Sequence, residues 1–145
     1  MNPNYYLVVS SLTFITPAIV SYKTQNYDVS VLCSTVSLVS SLYHISKNPY
    51  LLYIDYILNQ LAHITILYRI LPGRWASIPP YSIWLCYIMF IYYYGYLTQS
   101  LIWNPDLDEA TPWHMTLHIS TALITSYSVY VTHLKCINVK TPTLK

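Results

Sequence analysis

The chain is a succession of long apolar segments separated by short polar breaks. Each segment approaches the roughly 20 residues that a helix needs to cross about 30 Å of hydrocarbon. Five such segments are predicted, at residues 5–22, 29–45, 49–71, 80–103 and 112–135. Because 54% of the residues are hydrophobic and only 8% are charged, the chain is too apolar for an ordinary water-soluble domain. The sequence therefore predicts a single all-α transmembrane domain over residues 1–145, a polytopic bundle of about five helices.

Prolines and polar residues mark the ends of the predicted helices. Pro17 lies inside the first segment, where it is expected to kink the helix, a distortion that a packed bundle can absorb. Residues 104–106 close the fourth segment, and Pro112 is expected to stand at the start of the fifth. Between them, Asp108 and Glu109 belong with Asp106 to a predicted solvated acidic loop.

The basic residues near the helix ends predict the orientation in the membrane. With strict alternation of the five segments, one side collects Lys23, Arg69, Arg74, Lys135, Lys140 and Lys145. The other side has Lys47 and the acidic loop. The positive-inside rule then predicts an integral, multi-pass protein of the plasma membrane or an endomembrane, with a cytosolic C-terminus and an extracytosolic N-terminus. The first segment lacks a basic region before it and is expected to be a retained helix, and the small net charge of +2 argues against a nucleic-acid partner.

Five polar residues stand inside these apolar segments and are called here the polar quintet: Ser40, His44, Asp55, His114 and His118. Ionisable groups within a membrane are costly, so they mark a functional site by default. His44 lies near the end of the second segment, Asp55 near the start of the third, and the other two histidines near the start of the fifth. Alternation of the helices therefore predicts that the quintet converges at one depth on the extracytosolic side.

The spacing within the quintet indicates a metal site. His114 and His118 are four residues apart, so they share one helix face, and His44 would add a third imidazole. Three nitrogen ligands with one open position are typical of catalytic zinc, and neutral imidazoles suit that ion. Taken singly, each residue also has a structural interpretation. Ser40 could be an interhelical hydrogen-bonding group, and Asp55 a structural partner for a tyrosine or histidine.

Other polar and aromatic residues favour structural roles. His63 lies two turns deeper than Asp55 on the same predicted helix, which favours a hydrogen bond within the bundle. Cys33, Cys86 and Cys136 have no pairable spacing and are predicted to be small unpaired helix residues. The tyrosines at 92–94 favour packing or the membrane interface.

The order and spacing of the quintet resemble a known family signature: Ser40-x-x-x-His44, then Asp55 eleven positions after His44, then His114-x-x-x-His118. The signature is that of the CREST superfamily of membrane hydrolases, which includes alkaline ceramidases, adiponectin/progestin-type receptors and Per1-type GPI-remodelling proteins. The aspartate spacing is similar to the ceramidase and Per1 branches, and residues 53–56 and 118–122 are similar to the Per1 branch. The resemblance covers about thirty residues, roughly 39–59 and 113–122.

The resemblance implies a function and a role for each member of the quintet. His44, His114 and His118 match the zinc ligands, and Asp55 and Ser40 match the polar partners. The implied activity is hydrolysis of a lipid amide or ester bond, with a ceramide-like amide as the first substrate to consider and an acyl lipid as the other. Asp55 would act as general base and then acid, and Ser40 would donate a hydrogen bond to the oxyanion or orient the water.

The chain also departs from the family pattern. Family members have seven membrane helices with the paired histidines on the last, whereas here they fall on the fifth predicted helix. Because two helices are an even number, the histidines still face the same side. The substrate chamber is then either smaller or completed by a second copy of the chain in a homo-oligomer. The alternative function is a non-enzymatic receptor, remodelling factor or scaffold that retains a structural zinc site. A transporter or proton relay ranks last, because the polar groups cluster near one face.

Overall fold

The computed structural model describes residues 4–70 and 78–140, and the side chains of 69, 70 and 135–140 lie outside this description. The described residues form helices and turns without a strand, so the all-α prediction is confirmed. Five helical units follow one another: α1 (Tyr5–Lys23), α2 (Tyr27–Ser46), α3 (Pro49–Ile70), α4 (residues 78–98) and α5 (Leu107–Lys140). They correspond in order and approximate position to the five predicted segments. Several predicted features fall on undescribed residues or side chains: Leu71, Arg69, Arg74, Lys135, Cys136, Lys140 and Lys145.

The first helix is distorted before its proline. A 3₁₀ turn at Leu12–Phe14 separates the α-helical stretches Tyr5–Ser11 and Ile15–Lys23. Pro17 has no backbone N–H to bond the carbonyl four residues earlier, so the regular hydrogen-bond ladder fails just before it. Asn4 fixes the start of α1, because its side chain accepts a hydrogen bond from the Leu7 N–H at 3.2 Å. The predicted distortion therefore takes the form of a tightened turn.

The fourth helix is shorter than predicted and carries a π-helical turn. An α-helix over Ile78–Met89 passes into the π turn Phe90–Tyr94 and ends with Gly95–Thr98. The chain then reverses and forms the 3₁₀ turn Leu101–Trp103, so the prediction of one helix to residue 103 is wrong. Glycine permits this reversal, because a Cβ on Gly95 would lie only 2.9 Å from the Ser100 carbonyl oxygen.

The fifth helix begins before the predicted position. It starts at Leu107, and Pro112 lies inside it, so Asp108 and Glu109 of the predicted loop stand in its first turn. Asp106 precedes the helix and accepts a hydrogen bond from the Asp108 N–H at 2.9 Å. Carboxylates in the first turn are stabilised by the partial positive charge of a helix N-terminus. N-terminal capping by acidic residues therefore moves the start of α5 ahead of the proline.

The helices pack around an interior that contains many polar groups. α1 packs against both α2 and α5, and α2 packs against α3. Apolar packing joins α2 and α5 to α3 and α4 through Val29, Ile66, Trp84 and Val129. The buried polar residues include Ser10, Ser11, Ser21, Ser37, Ser40, Ser41, His44, His118, Thr121, Thr125 and Ser128. All of these residues lie on α1, α2 or α5, so these three helices meet along a polar seam.

Two of the described helices have the length and apolar composition of membrane-crossing segments. These are α1, with 19 residues, and α2, with 20 residues. α3 has 22 residues, which is long enough to cross hydrocarbon, but it carries Asp55, Asn59 and His63.

Candidate metal centre

Three histidines from two helices converge at one end of the bundle. Ligand-capable atoms of His44, His114 and His118 all lie within 4.8 Å of one another. The His44 ring centroid is 5.1 Å from that of His114 and 5.5 Å from that of His118, and the latter two centroids are 4.8 Å apart. The three side chains are therefore close enough to hold one metal ion, as the i, i+4 spacing and helix alternation predict.

Helix positions explain this convergence. His44 lies in the last turn of α2, while His114 and His118 face it from successive turns near the start of α5. A hydrogen bond of 2.8 Å from Asn4 Nδ2 to Thr111 Oγ1 ties the beginning of α1 to the same part of α5. The C-terminal end of α2 and the N-terminal part of α5 therefore meet on one side of the bundle, with α1 packed against both helices.

His44 carries the clearest sign that the site accepts a ligand. Its side chain is only 1% exposed, and neither ring nitrogen has a hydrogen-bond partner within the described part of the chain. A buried polar group without a partner costs about 1–3 kcal/mol. Because two other imidazoles face the same space, a shared metal ion would satisfy His44. The donor set and its burial therefore fit a metal ion.

Two serines of α1, which the sequence did not single out, contact the centre. Ser10 Oγ lies 2.8 Å from His118 Nδ1, and Ser11 Oγ lies 3.4 Å from the same nitrogen. The Phe14 ring packs beside His118 with centroids 5.7 Å apart. A serine pair in an apolar helix is a common feature of helix packing in membranes, so its spacing carried no specific signal.

Ser40 lies one helical turn before His44 on α2, and Asp55 lies on the neighbouring helix α3. Ser40 is 1% exposed, and its hydroxyl oxygen is 3.0 Å from Ser11 Oγ. The Ser40 side chain also lies near the Asp55 carboxyl group. Asn59 Nδ2 donates to Asp55 Oδ1 at 3.1 Å and to the Asp55 backbone oxygen at 2.9 Å. Hydroxyl groups thus form a line from His118 through Ser11 to Ser40. Asn59 is a further residue that the sequence did not single out.

Lys47 lies at the rim of the centre. It ends α2 in the left-handed conformation, with φ of 54°, and its Nζ is 5.6 Å from the centroid of the Tyr43 ring. Partial burial lowers the pKa of Lys47. One positive charge therefore stands at the end of the bundle where the histidines meet.

His63 occupies a separate position deeper in the bundle. Its Nδ1 is 3.2 Å from the Tyr81 hydroxyl, and its ring packs against Trp84 with centroids 4.9 Å apart. The predicted hydrogen bond within the bundle is therefore confirmed. The residue also lines a cavity of about 10 Å³ together with Cys33 and Asn59, enough space for about one water molecule. Cys33 is a free buried thiol, and Cys86 is a free exposed one.

Comparisons with known proteins give no assignment. No family model matches the chain, no curated protein matches it, and no solved structure matches it. The function proposed below is therefore inferred from the geometry of the histidines and their neighbours.

Proposed function

We propose that the protein is a zinc-dependent intramembrane hydrolase that cleaves an amide or ester bond of a membrane lipid. The observation that carries this proposal is His44, a buried imidazole without a partner among the described residues, facing His114 and His118. On the neighbouring helix α3, the Asp55 carboxylate accepts a hydrogen bond from Asn59, and Ser40 lies near it. Ligands and a positioned carboxylate together are the parts that metal-assisted hydrolysis requires.

The three imidazoles define the metal side of the proposed chemistry. His44, His114 and His118 would hold the ion, and three protein ligands leave one position for water or substrate, as in catalytic zinc sites. When bound, zinc supplies Lewis-acid polarisation of a carbonyl and makes water a potent nucleophile at neutral pH. Neutral nitrogen ligands favour zinc over magnesium or calcium, which prefer oxygen.

Asp55 and its neighbours provide the proton-transfer side. Asp55 takes a proton from the attacking water and returns it to the amine or alcohol that leaves, while the hydroxyl remains on the acyl carbon as a carboxylic acid. Asn59 holds the carboxylate in one orientation through its contact at 3.1 Å. Ser40 donates a hydrogen bond, either to Asp55 or to the oxyanion that develops on the carbonyl oxygen.

The distribution of side chains supports a membrane-embedded, multi-pass bundle. Large apolar side chains are exposed along α3 and α4: Leu52, Tyr53, Ile54, Tyr56, Ile57, Leu61, Ile64, Tyr68, Ile83, Leu85, Met89, Phe90, Tyr93, Tyr94 and Leu97. Water-soluble monomers rarely expose contiguous apolar surface of this extent. The interior of the bundle, by contrast, carries many hydroxyls. Lipid around the bundle and polar contacts between its helices account for both features.

The resemblance to CREST proteins narrows the substrate class. The spacing of Asp55 from His44 is similar to the ceramidase branch, so a ceramide-like amide is the first substrate to test and an acyl-glycerolipid ester is the second. Membership of that superfamily is part of this proposal. A substrate of this kind would bring its acyl chain from the bilayer and its amide or ester group to the histidine end of the bundle.

Zinc stoichiometry tests the metal centre. The full chain, purified in lipid nanodiscs without chelators, is expected to carry about one zinc ion per chain by elemental analysis. The double variant His114→Ala with His118→Ala is expected to carry none, because it loses the two ligands on α5. Absence of zinc from the wild-type protein, after incubation with excess zinc, would refute the proposal.

Hydrolysis assays test the chemistry. The zinc-loaded protein is incubated with labelled ceramides and labelled acyl-glycerolipids, and released fatty acid is measured. Asp55→Asn is expected to keep zinc and lose hydrolysis, whereas Asp108→Asn, at an exposed position, is expected to keep both. Undiminished hydrolysis by Asp55→Asn contradicts the proposed role. Zinc binding without hydrolysis of either lipid class favours a receptor or scaffold with a structural zinc ion.

A further inference from the structure

We propose that Ser10 is a positioning residue of the metal centre: its hydroxyl accepts the Nδ1–H of His118 and thereby turns the bare Nε2 of that ring toward the metal. This inference rests on the metal centre proposed above. It makes α1, a helix that supplies no ligand, part of the site.

The two hydrogen bonds of Ser10 are satisfied together when His118 is the donor. Ser10 Oγ lies 3.0 Å from the Leu7 carbonyl oxygen and 2.8 Å from His118 Nδ1. A carbonyl only accepts hydrogen bonds, and a serine hydroxyl has one proton. When that proton is directed to Leu7, a lone pair of the oxygen faces His118. The contact at 2.8 Å is then an N–H···O bond with the histidine as donor.

The tautomer of His118 follows from this direction. A neutral imidazole has one N–H, so a proton on Nδ1 leaves the lone pair on Nε2, the form that binds a metal through Nε2. The opposite tautomer carries its proton on Nε2, so the one ring nitrogen that Ser10 leaves free would have no lone pair for a metal. Ser10 therefore selects the tautomer that is competent for metal binding.

The surroundings protect this hydrogen bond from competition by water. Ser10 is 2% exposed, Ser11 is fully buried and His118 is 7% exposed. Ser11 repeats the arrangement more weakly, since its hydroxyl is 2.8 Å from the Leu7 oxygen and 3.4 Å from His118 Nδ1. The Phe14 ring closes another side of the imidazole. The nearer serine is thus the principal acceptor.

A matched pair of serine variants tests the role of Ser10. Zinc affinity of the full chain in nanodiscs is measured by competition with a chromophoric chelator. Removing an outer partner of a metal-binding histidine typically weakens affinity about 10–100-fold, and Ser10→Ala is expected to lie in that range. Ser21→Ala is the control, because Ser21 is fully buried on the same helix and its hydroxyl has no partner within the described ranges. Ser10→Thr retains a hydroxyl and is expected to restore affinity.

Affinity outcomes separate this inference from the proposed function. If wild-type protein binds zinc and Ser10→Ala binds it equally well, the inference is overturned while the metal centre stands. Equal weakening by Ser10→Ala and Ser21→Ala also overturns it, because the effect would then come from loss of any buried serine in α1. Failure of wild-type protein to bind zinc refutes the proposed function.

The tautomer is measured independently of metal. Metal-free protein labelled with ¹⁵N-histidine is studied by solid-state NMR, and the signals of His118 are assigned by their loss in His118→Ala. The expected result is a protonated Nδ1 and a bare Nε2, with the opposite tautomer or a mixture in Ser10→Ala. A wild-type His118 with its proton on Nε2 would overturn the inference whatever the zinc measurements show.

Discussion

The substitution His44→Leu is expected to have opposite effects on the metal-free and the zinc-loaded protein. His44 is 1% exposed, and neither ring nitrogen has a partner among the described residues. Leucine has a comparable size and no polar atoms, so it removes an unsatisfied buried group worth about 1–3 kcal/mol. In the presence of a chelator, the variant is therefore expected to be more stable than wild type by up to that amount.

Zinc is expected to stabilise only the wild-type protein. A ligand at one hundred times its dissociation constant stabilises the native state by about 2.7 kcal/mol. At about 2–4 °C per kcal/mol, the expected rise in melting temperature is about 5–10 °C. His44→Leu leaves two of the three imidazoles, so this rise should be absent or much smaller at the same zinc concentration.

Thermal unfolding in nanodiscs, followed by tryptophan fluorescence with chelator and with excess zinc, measures both effects. His133→Leu is the control, because it makes the same chemical change on α5, far along the helix from the metal centre. It is expected to keep the full zinc response. The reasoning fails if His44→Leu lowers the melting temperature in chelator and still gains as much as wild type from zinc.

Three further predictions concern other parts of the bundle. Asn59→Leu removes a hydrogen bond to a carboxylate, worth about 1.5–3 kcal/mol, so kcat for lipid hydrolysis should fall about 10–100-fold. Gln60→Leu, at the exposed neighbouring position, should leave kcat unchanged, and equal losses would contradict a specific role for Asn59. Gly95→Ala places a Cβ 2.9 Å from the Ser100 carbonyl oxygen and should destabilise the protein by about 1–3 kcal/mol. An unchanged melting temperature in thermal unfolding would contradict this close packing. The accessibility of the cysteines is measured in liposomes, with Cys136 replaced by serine. A lipid-soluble maleimide should label the exposed Cys86 far faster than the buried Cys33, and a charged maleimide should label neither. Rapid labelling by the charged reagent would argue against lipid around α4.

The number and order of the helices were predictable because the lengths of the apolar segments and the polar residues between them are local properties of a chain. Both ends of α2 and the start of α3 are within two residues of the predicted positions. The wrong helix boundaries result from interactions that the length of an apolar segment does not reveal. Gly95 lets the chain reverse after Thr98, and acidic capping starts α5 at Leu107, five residues before the predicted position.

The polar quintet was predictable for a different reason. Polar and ionisable side chains are energetically unfavourable in an apolar segment, so each of them is conspicuous in the sequence. The alternation of helices then predicted that all five quintet residues lie near one end of the bundle. The structure confirms that the three histidines meet. The sequence could not reveal the contribution of Ser10 and Asn59, because serine and asparagine occur throughout membrane helices as packing groups.

The helical class, the approximate helix bounds and the set of candidate ligands can be read from the amino-acid sequence, since they follow from composition and from spacing along single helices. Which groups touch one another depends on the packing of the helices. This packing brought α1 between α2 and α5, placed Ser10 against His118, and left His44 buried without a partner in the described protein. These contacts depend on how helices distant in sequence rotate and pack, and the spacing within any one helix does not specify that rotation.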